Sequence, residues 1–196
     1  MSLAFQSSLK SALLVSAARA DLKVGFAPPV CREFNHLVQD ELVAVPEEAC
    51  HRIERDLALL GALGIPTRYE DPVLPCEQNY AETVEWVCDD LPRPLVVMHP
   101  GTSEFASFKR WVPERYGRVA ERLMDDWGAG VLVTFGPGEE ALAHRLVASS
   151  AHRAVLAPRL AHLQQLTYLL QQADLFVGSD TGPMHLASAL GVPVLA

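Results

Sequence analysis

Leu175-Phe176-Val177-Gly178-Ser179-Asp180-Thr181-Gly182-Pro183-Met184-His185 decides the fold. Three consecutive apolar residues, a polar loop flanked by glycines and a segment continuing to Leu190 before Gly191 read as strand, loop and helix. A strand that is apolar throughout belongs in a sheet covered on both faces. Working outward, the same unit recurs. Residues 95–98 form an apolar run ending at His99-Pro100-Gly101, followed by a predicted helix over 113–127 that Gly128 stops. Residues 131–135 are a second strand, ending at Gly136-Pro137-Gly138, with a helix over about 139–149. Residues 154–156 are a short third strand, 160–173 a helix, and 194–196 the start of another strand. Strands alternating with helices pair in parallel, and the right-handed crossover rule gives a doubly wound, Rossmann-like domain.

Upstream the pattern is different. Residues 8–20 and 46–63 read as helices, the second with Leu57, Leu60 and Leu63 at helical spacing and Gly64 as its stop. Residues 81–88 are a further short helix. The rest is irregular, without the strand–helix alternation of a closed domain. The proline-bracketed Leu91-Pro92-Arg93-Pro94 suits a boundary. The chain is therefore divided into a partial N-terminal domain, 1–91, and a Rossmann-like domain, 92–196, that is C-terminally incomplete.

Composition bounds the function. The chain has 196 residues, 49% hydrophobic and 20% charged, which is the profile of a globular protein. Its formal net charge of -8 argues against a nucleic-acid groove or a general affinity for anionic lipid. Cys31, Cys50, Cys76 and Cys88 are irregularly spaced, with no CxxC and no Cys/His pairing at zinc spacing, so free thiols and no structural metal are expected. No apolar run reaches the length of a membrane span. The apolar stretch after Lys10 is short for a signal peptide, and Arg19 falls where a small-residue cleavage site belongs. A cytosolic protein is expected. GxGxxG, P-loop and GxSxG motifs are absent, so dinucleotide, kinase-type and serine-hydrolase readings have no motif behind them.

Ligands of doubly wound sheets sit at the carboxyl ends of the strands, and three loops there carry chemistry. In Gly178 to His185, Asp180 reads as the N-cap and Pro183 sits in the first turn, where its missing N–H costs nothing. A capped helix alone explains those residues. A diphosphate at the helix N-terminus explains the flanking glycines as well. His185 lies one turn from Thr181, on the same side. In the second loop, Thr102 and Ser103 follow a buried strand, and Lys109-Arg110 can neutralise a phosphate. Solvated basic residues on a polar loop are the competing reading, and Trp111 reads as packing. In the third, one of Glu139 and Glu140 can accept hydrogen bonds from ribose hydroxyls, while the other complements the helix dipole.

Together these segments resemble the family 9 glycosyltransferases, the ADP-heptose:lipopolysaccharide heptosyltransferases. His99-Pro100-Gly101-Thr102-Ser103, Lys109-Arg110-Trp111, Gly136-Pro137-Gly138-Glu139 and Ala173 through Ala187 carry the likeness. Leu9-Lys10-Ser11-Ala12-Leu13-Leu14 and Val24-Gly25-Phe26 resemble the later part of the family's acceptor domain. The resemblance implies an α/β, GT-B type fold, with the Rossmann-like domain preceded by part of a second α/β domain. It also implies inverting, metal-independent transfer of heptose from ADP-heptose, or another nucleotide-sugar donor, to the lipid A–core acceptor of lipopolysaccharide. It implies no cofactor, no nucleic acid, and at most peripheral contact with the cytoplasmic face of the inner membrane. It places Thr102, Ser103 and Lys109 on donor phosphate, Glu139 on the ribose, and Asp180, Thr181, Gly182 and His185 along the diphosphate and sugar. The family's catalytic base is an aspartate near the start of its N-terminal domain, and nothing here matches that motif. The family also continues beyond Pro193-Val194. The chain is accordingly expected to bind donor without transferring it alone. A truncated, catalytically inactive ADP-sugar-binding module is the alternative.

Overall fold

In the computed structural model, which describes residues 1–45 and 51–196, the chain forms two compact units, Met1–Glu70 and Asp71–Ala196. The second is built on a five-stranded sheet. Its strands are β4 (Leu95–His99), β5 (Gly130–Val133), β6 (Val155–Leu156), β7 (Leu175–Gly178) and β8 (Val194–Leu195), numbered after three strands of the first unit. They lie in the order β6-β5-β4-β7-β8, and every pairing is parallel.

Side chains alternate between the two faces of this sheet. Leu95, Val97, Leu132 and Phe176 point to one face and pack with Leu169, Leu170 and Ala187. Those three come from α7 (Leu163–Gln171) and α8 (Gly182–Ala189). Val96, Met98, Val131, Val133 and Val177 point to the other and pack with Tyr116, Ala120, Ala143 and Leu146. Those belong to α5 (Pro113–Trp127) and α6 (Glu140–Ser149). The doubly wound reading holds. The chain runs outward from β4 to β6, then returns to β7 on the opposite side of β4, so the winding reverses between β4 and β7.

The first unit corrects the sequence reading. It contains a parallel sheet, β1 (Ser2–Ala4), β2 (Lys23–Phe26) and β3 (Glu41–Val43), in that order. The residues alone point to no strand there, although the family resemblance implies part of a second α/β domain, and that part is present. These strands are three or four residues long, too short for a periodicity to register, and β3 is largely exposed. Helix α1 spans Leu9–Ala17, capped by the Ser8 hydroxyl, which accepts from Ser11 N. Helix α2 spans Arg52–Ala62. The part of the predicted 46–63 helix over residues 46–50 lies outside the described residues. Val24, Phe26, Val30 and Leu59 fill this unit's core.

The boundary also differs from the one expected at 91/92. Residues 71–91 belong to the second unit, because Val84, Val87 and Cys88 share a core with Leu169 and Leu170. Burial pushes the Cys88 thiol up to about 11. The helix expected over 81–88 is two short ones, α3 (Gln78–Ala81) and α4 (Glu85–Asp89), parted where the Thr83 hydroxyl donates to Tyr80 O at 2.6 Å. The proline stretch is a tie rather than a linker, since Gly130 N donates to both Pro92 O and Pro94 O at 3.0 Å.

Helices α5 and α6 meet closely at Gly117, where a Cβ would lie 2.6 Å from Ser149 Cβ and 2.8 Å from Leu146 O. Gly117→Ala should therefore lower the unfolding free energy by about 1–3 kcal/mol through overpacking. Urea titration checks this, and an unchanged midpoint would show that the two helices separate at no cost.

Candidate donor site

The carboxyl ends of β4, β5 and β7 open on one rim of the second unit's sheet. A cavity of about 440 Å³ lies there, lined at one end by His99, Thr102, Glu139, Thr181 and Gly182. This is the switch point between β4 and β7, where open α/β sheets bind ligands. Its other end is an apolar wall, Leu160, Ala161, Leu163 and Leu166, from the segment after β6 and the start of α7.

The polar end is organised around two fixed groups. Arg110 is the first, donating from Nε to Thr102 Oγ1 at 2.9 Å and from Nη2 to Thr102 O at 2.6 Å. The Thr102 hydroxyl hydrogen faces Ser103 O and Ala106 O, each at 3.1 Å. Thr102 lines the cavity, but its buried hydroxyl is occupied within the protein.

Glu139 is the second fixed group. Its Oε2 accepts from Gly136 N at 2.8 Å and lies 3.2 Å from His99 Nε2. His99 is itself buried, and its Nδ1 shares a hydrogen bond of 3.1 Å with Thr134 Oγ1. The carboxylate packs over Gly101, where a Cβ would come within 2.1 Å of Oε2, so a side chain there would displace the carboxylate from this position. Burial alone would raise the Glu139 pKa. The hydrogen bonds from His99 and Gly136, reinforced electrostatically by His99 and Arg110, outweigh it and hold the carboxyl below its ordinary range.

Beside the cavity lies an exposed charge cluster. Lys109 Nζ is 2.7 Å from Asp180 Oδ2, and His185 Nε2 is 3.2 Å from Asp180 Oδ1. The hydrogen bond and charge of Lys109, with His185 adding to them, lower the Asp180 pKa. Asp180 is not the cap expected of it. Thr181 occupies the N-cap of α8 with extended backbone, and its hydroxyl turns back to Ser179 O at 3.2 Å. No side chain caps α8, so the N–H groups of Gly182 and Met184 have no side-chain partner at the positive end of the helix dipole, where Thr181, Gly182 and Pro183 line the cavity.

Residues 1–196 match the family model described as glycosyltransferase family 9 (heptosyltransferase). The chain belongs to this family. It is 27% identical over 172 residues to lipopolysaccharide heptosyltransferase 3 of Escherichia coli strain K12, a match covering 84% of this chain and 46% of that protein. It is 24% identical over 193 residues to the lipopolysaccharide core heptosyltransferase OpsX of Haemophilus influenzae, covering 97% of this chain and 54% of the relative. Among solved structures, a family 9 glycosyl transferase from Veillonella parvula superposes with a TM-score of 0.69 at 17% identity, over 99% of this chain and 56% of that one, and shows the fold alone. E. coli heptosyltransferase WaaC with ADP-2-deoxy-2-fluoro heptose gives 0.65 at 26% identity, over 98% and 59%. The chain spans about half the length of the curated relatives it matches. The fold class is that expected, α/β of GT-B type with parallel sheets.

In this family 9 chain, Thr102, Ser103, Glu139, Thr181 and Gly182 come together on the cavity. Lys109 and Asp180 instead line a neighbouring hollow of about 500 Å³ with Trp111 and Tyr116, whose rings meet edge-on at 5.0 Å. His185 lines neither of the two and contacts Asp180. Sequence reasoning missed the roles of His99, Thr134 and Arg110 and the whole apolar wall. A histidine closing the apolar run 95–98 was a usable signal for the first. Leu160, Ala161 and Leu163 carry no chemical signature.

A carboxyl whose folded pKa is below its unfolded value stabilises the fold above the unfolded pKa, and that stability is lost as pH falls through the folded one. Glu139→Gln should therefore be less sensitive to acid than the parent protein between about pH 5 and about pH 3. Urea titrations across that range check it, and parallel acid slopes would remove the link to Glu139.

Proposed function

We propose that the chain is the donor-binding part of a heptosyltransferase that moves heptose from ADP-heptose to the lipid A–core acceptor of lipopolysaccharide, with inversion and without a metal. One observation carries the reading: the switch-point cavity joins an uncapped helix N-terminus to a fixed carboxylate, Glu139, across its polar end. A nucleoside diphosphate is complementary to that pair, its phosphates at α8 and its ribose hydroxyls at Glu139.

The backbone N–H groups of α8 would hold the diphosphate beside Ser103 and Thr181. Lys109 uses one of its three ammonium donors on Asp180 and would offer the others to phosphate. Positive potential from Lys109 and the helix end then offsets the charge that develops on departing ADP. Asp180 and His185, next to these donors, would face the sugar. The apolar wall suits a flat base. That relatives are named lipopolysaccharide heptosyltransferases, and that E. coli WaaC has been solved with ADP and with an ADP-heptose analogue, supports this donor and acceptor. No described helix is long and apolar enough to cross a membrane. Action at the cytoplasmic face of the inner membrane, through peripheral contact, fits a lipid-linked acceptor.

Titration calorimetry with ADP tests the reading. ADP should bind, and Lys109→Ala should weaken it by on the order of tenfold or more, as expected for losing a charge-assisted hydrogen bond. Unchanged affinity would remove Lys109 from the site. ADP release from ADP-heptose, assayed with lipid A–core acceptor, separates transfer from an ADP-sugar-binding module that binds without turnover.

A further inference from the structure

All hydrogen bonds to the Glu139 carboxylate among the described residues fall on one oxygen. Oε2 receives Gly136 N and lies 3.2 Å from His99 Nε2, whereas no donor reaches Oε1. Both side chains line the cavity while remaining largely covered. Nδ1 of the imidazole lies 3.1 Å from Thr134 Oγ1, whose single hydrogen either goes to Met98 O at 3.4 Å, leaving Nδ1 to donate, or turns to Nδ1 and frees Nε2–H for Glu139. The ring therefore stands between two fixed partners at the end of a strand that is buried along its whole length.

A carboxylate held this way differs from one free to rotate. With Oε2 anchored by two donors, Oε1 can point only along the remaining direction. A side chain locked by supporting hydrogen bonds presents its working atom at low entropic cost when ligand arrives. A lone backbone donor from Gly136 would leave the carboxylate free to swing about that bond, and the His99 contact removes the freedom. The backbone at Gly101 leaves the space the carboxylate needs.

We propose that His99 is a positioning residue: by donating Nε2–H to Glu139 Oε2 it presents Oε1 to the cavity as the acceptor for a vicinal diol, such as that of a ribose. The inference rests on the assignment of Glu139 to the ribose made above. It adds an orienting partner, a required tautomer and a selectivity for nucleotides that keep both hydroxyls.

The test compares ADP with 2′,3′-dideoxy-ADP by calorimetry. The parent chain should prefer ADP by on the order of tenfold, the worth of hydrogen bonds to a charged acceptor. His99→Phe, which keeps a planar ring without the donor, should bring that ratio close to one. His99→Gln, whose amide can donate to Oε2, should restore most of it. A His99→Phe protein that keeps the full ratio overturns the proposal. A parent chain that binds ADP without discriminating overturns the ribose assignment and the proposal with it, as does a chain that binds no ADP. Should His99→Phe fail to fold, the unaltered protein still decides: long-range proton–nitrogen NMR must show the neutral His99 ring protonated at Nε2. The Nδ1–H tautomer would overturn the positioning role whatever the affinity for ADP.

Discussion

Strands β4 and β7 are distant in sequence, yet they pair in a register that sets His99 opposite Gly178. That pairing costs the loop-closure entropy of two intervening strand–helix units and is stabilised by the apolar residues it brings together on both faces of the sheet. Everything at the rim follows from it. The loop after β4 supplies Thr102, Ser103 and Arg110. The loop after β7 supplies Thr181 and the start of α8, and the two meet because their strands end level. Since β5 pairs with the other side of β4, Glu139 reaches under the same loop and finds His99.

The two carboxylate contacts at this rim have different energetic weight. The Lys109–Asp180 contact is substantially exposed, and water screens the attraction in such pairs. It adds little stability and is easily shared with an incoming anion. The His99–Glu139 contact is enclosed, with side-chain exposures of 6% and 12%. Removing His99 leaves a largely covered carboxylate without one of its two donors, a cost of about 1–3 kcal/mol. A chain with a net charge of -8 thus concentrates its anion-attracting groups locally, as a helix end and a few cations.

The second unit's sheet was legible through β4, β5 and β7, which are covered on both faces, so each reads as an apolar run ending in a glycine-containing loop. The first unit's strands were not. Ser2–Ala4 and Glu41–Val43 have three residues each, and one side of β3 faces outward. At the site, residue type located the loops but not their hydrogen bonds. Asp180 satisfied every sequence criterion for an N-cap and instead holds Lys109 and His185, because a nearby ammonium competes better for a carboxylate than backbone N–H groups do. Arg110 reads in the sequence as a phosphate-neutralising or a solvated cation and is a clamp on Thr102, which depends on the turn 104–109 bringing it back over that residue. Pro92 and Pro94 looked like a linker because proline composition does not reveal which carbonyls Gly130 will find.

The wall formed by Leu160, Ala161 and Leu163 has a different standing from the rest of the cavity. It follows β6, a two-residue strand at the edge of the sheet, whereas the polar end grows from β4 at its centre. An edge connection can change length and side chains without disturbing the register of β4 against β7. The polar end cannot, because the same backbone holds the sheet together. The cavity thus combines an invariant grip on one chemical group with a replaceable surface for another. Residues 160–163 are therefore a part of the cavity lining whose side chains can change while the β4–β7 register stays as it is.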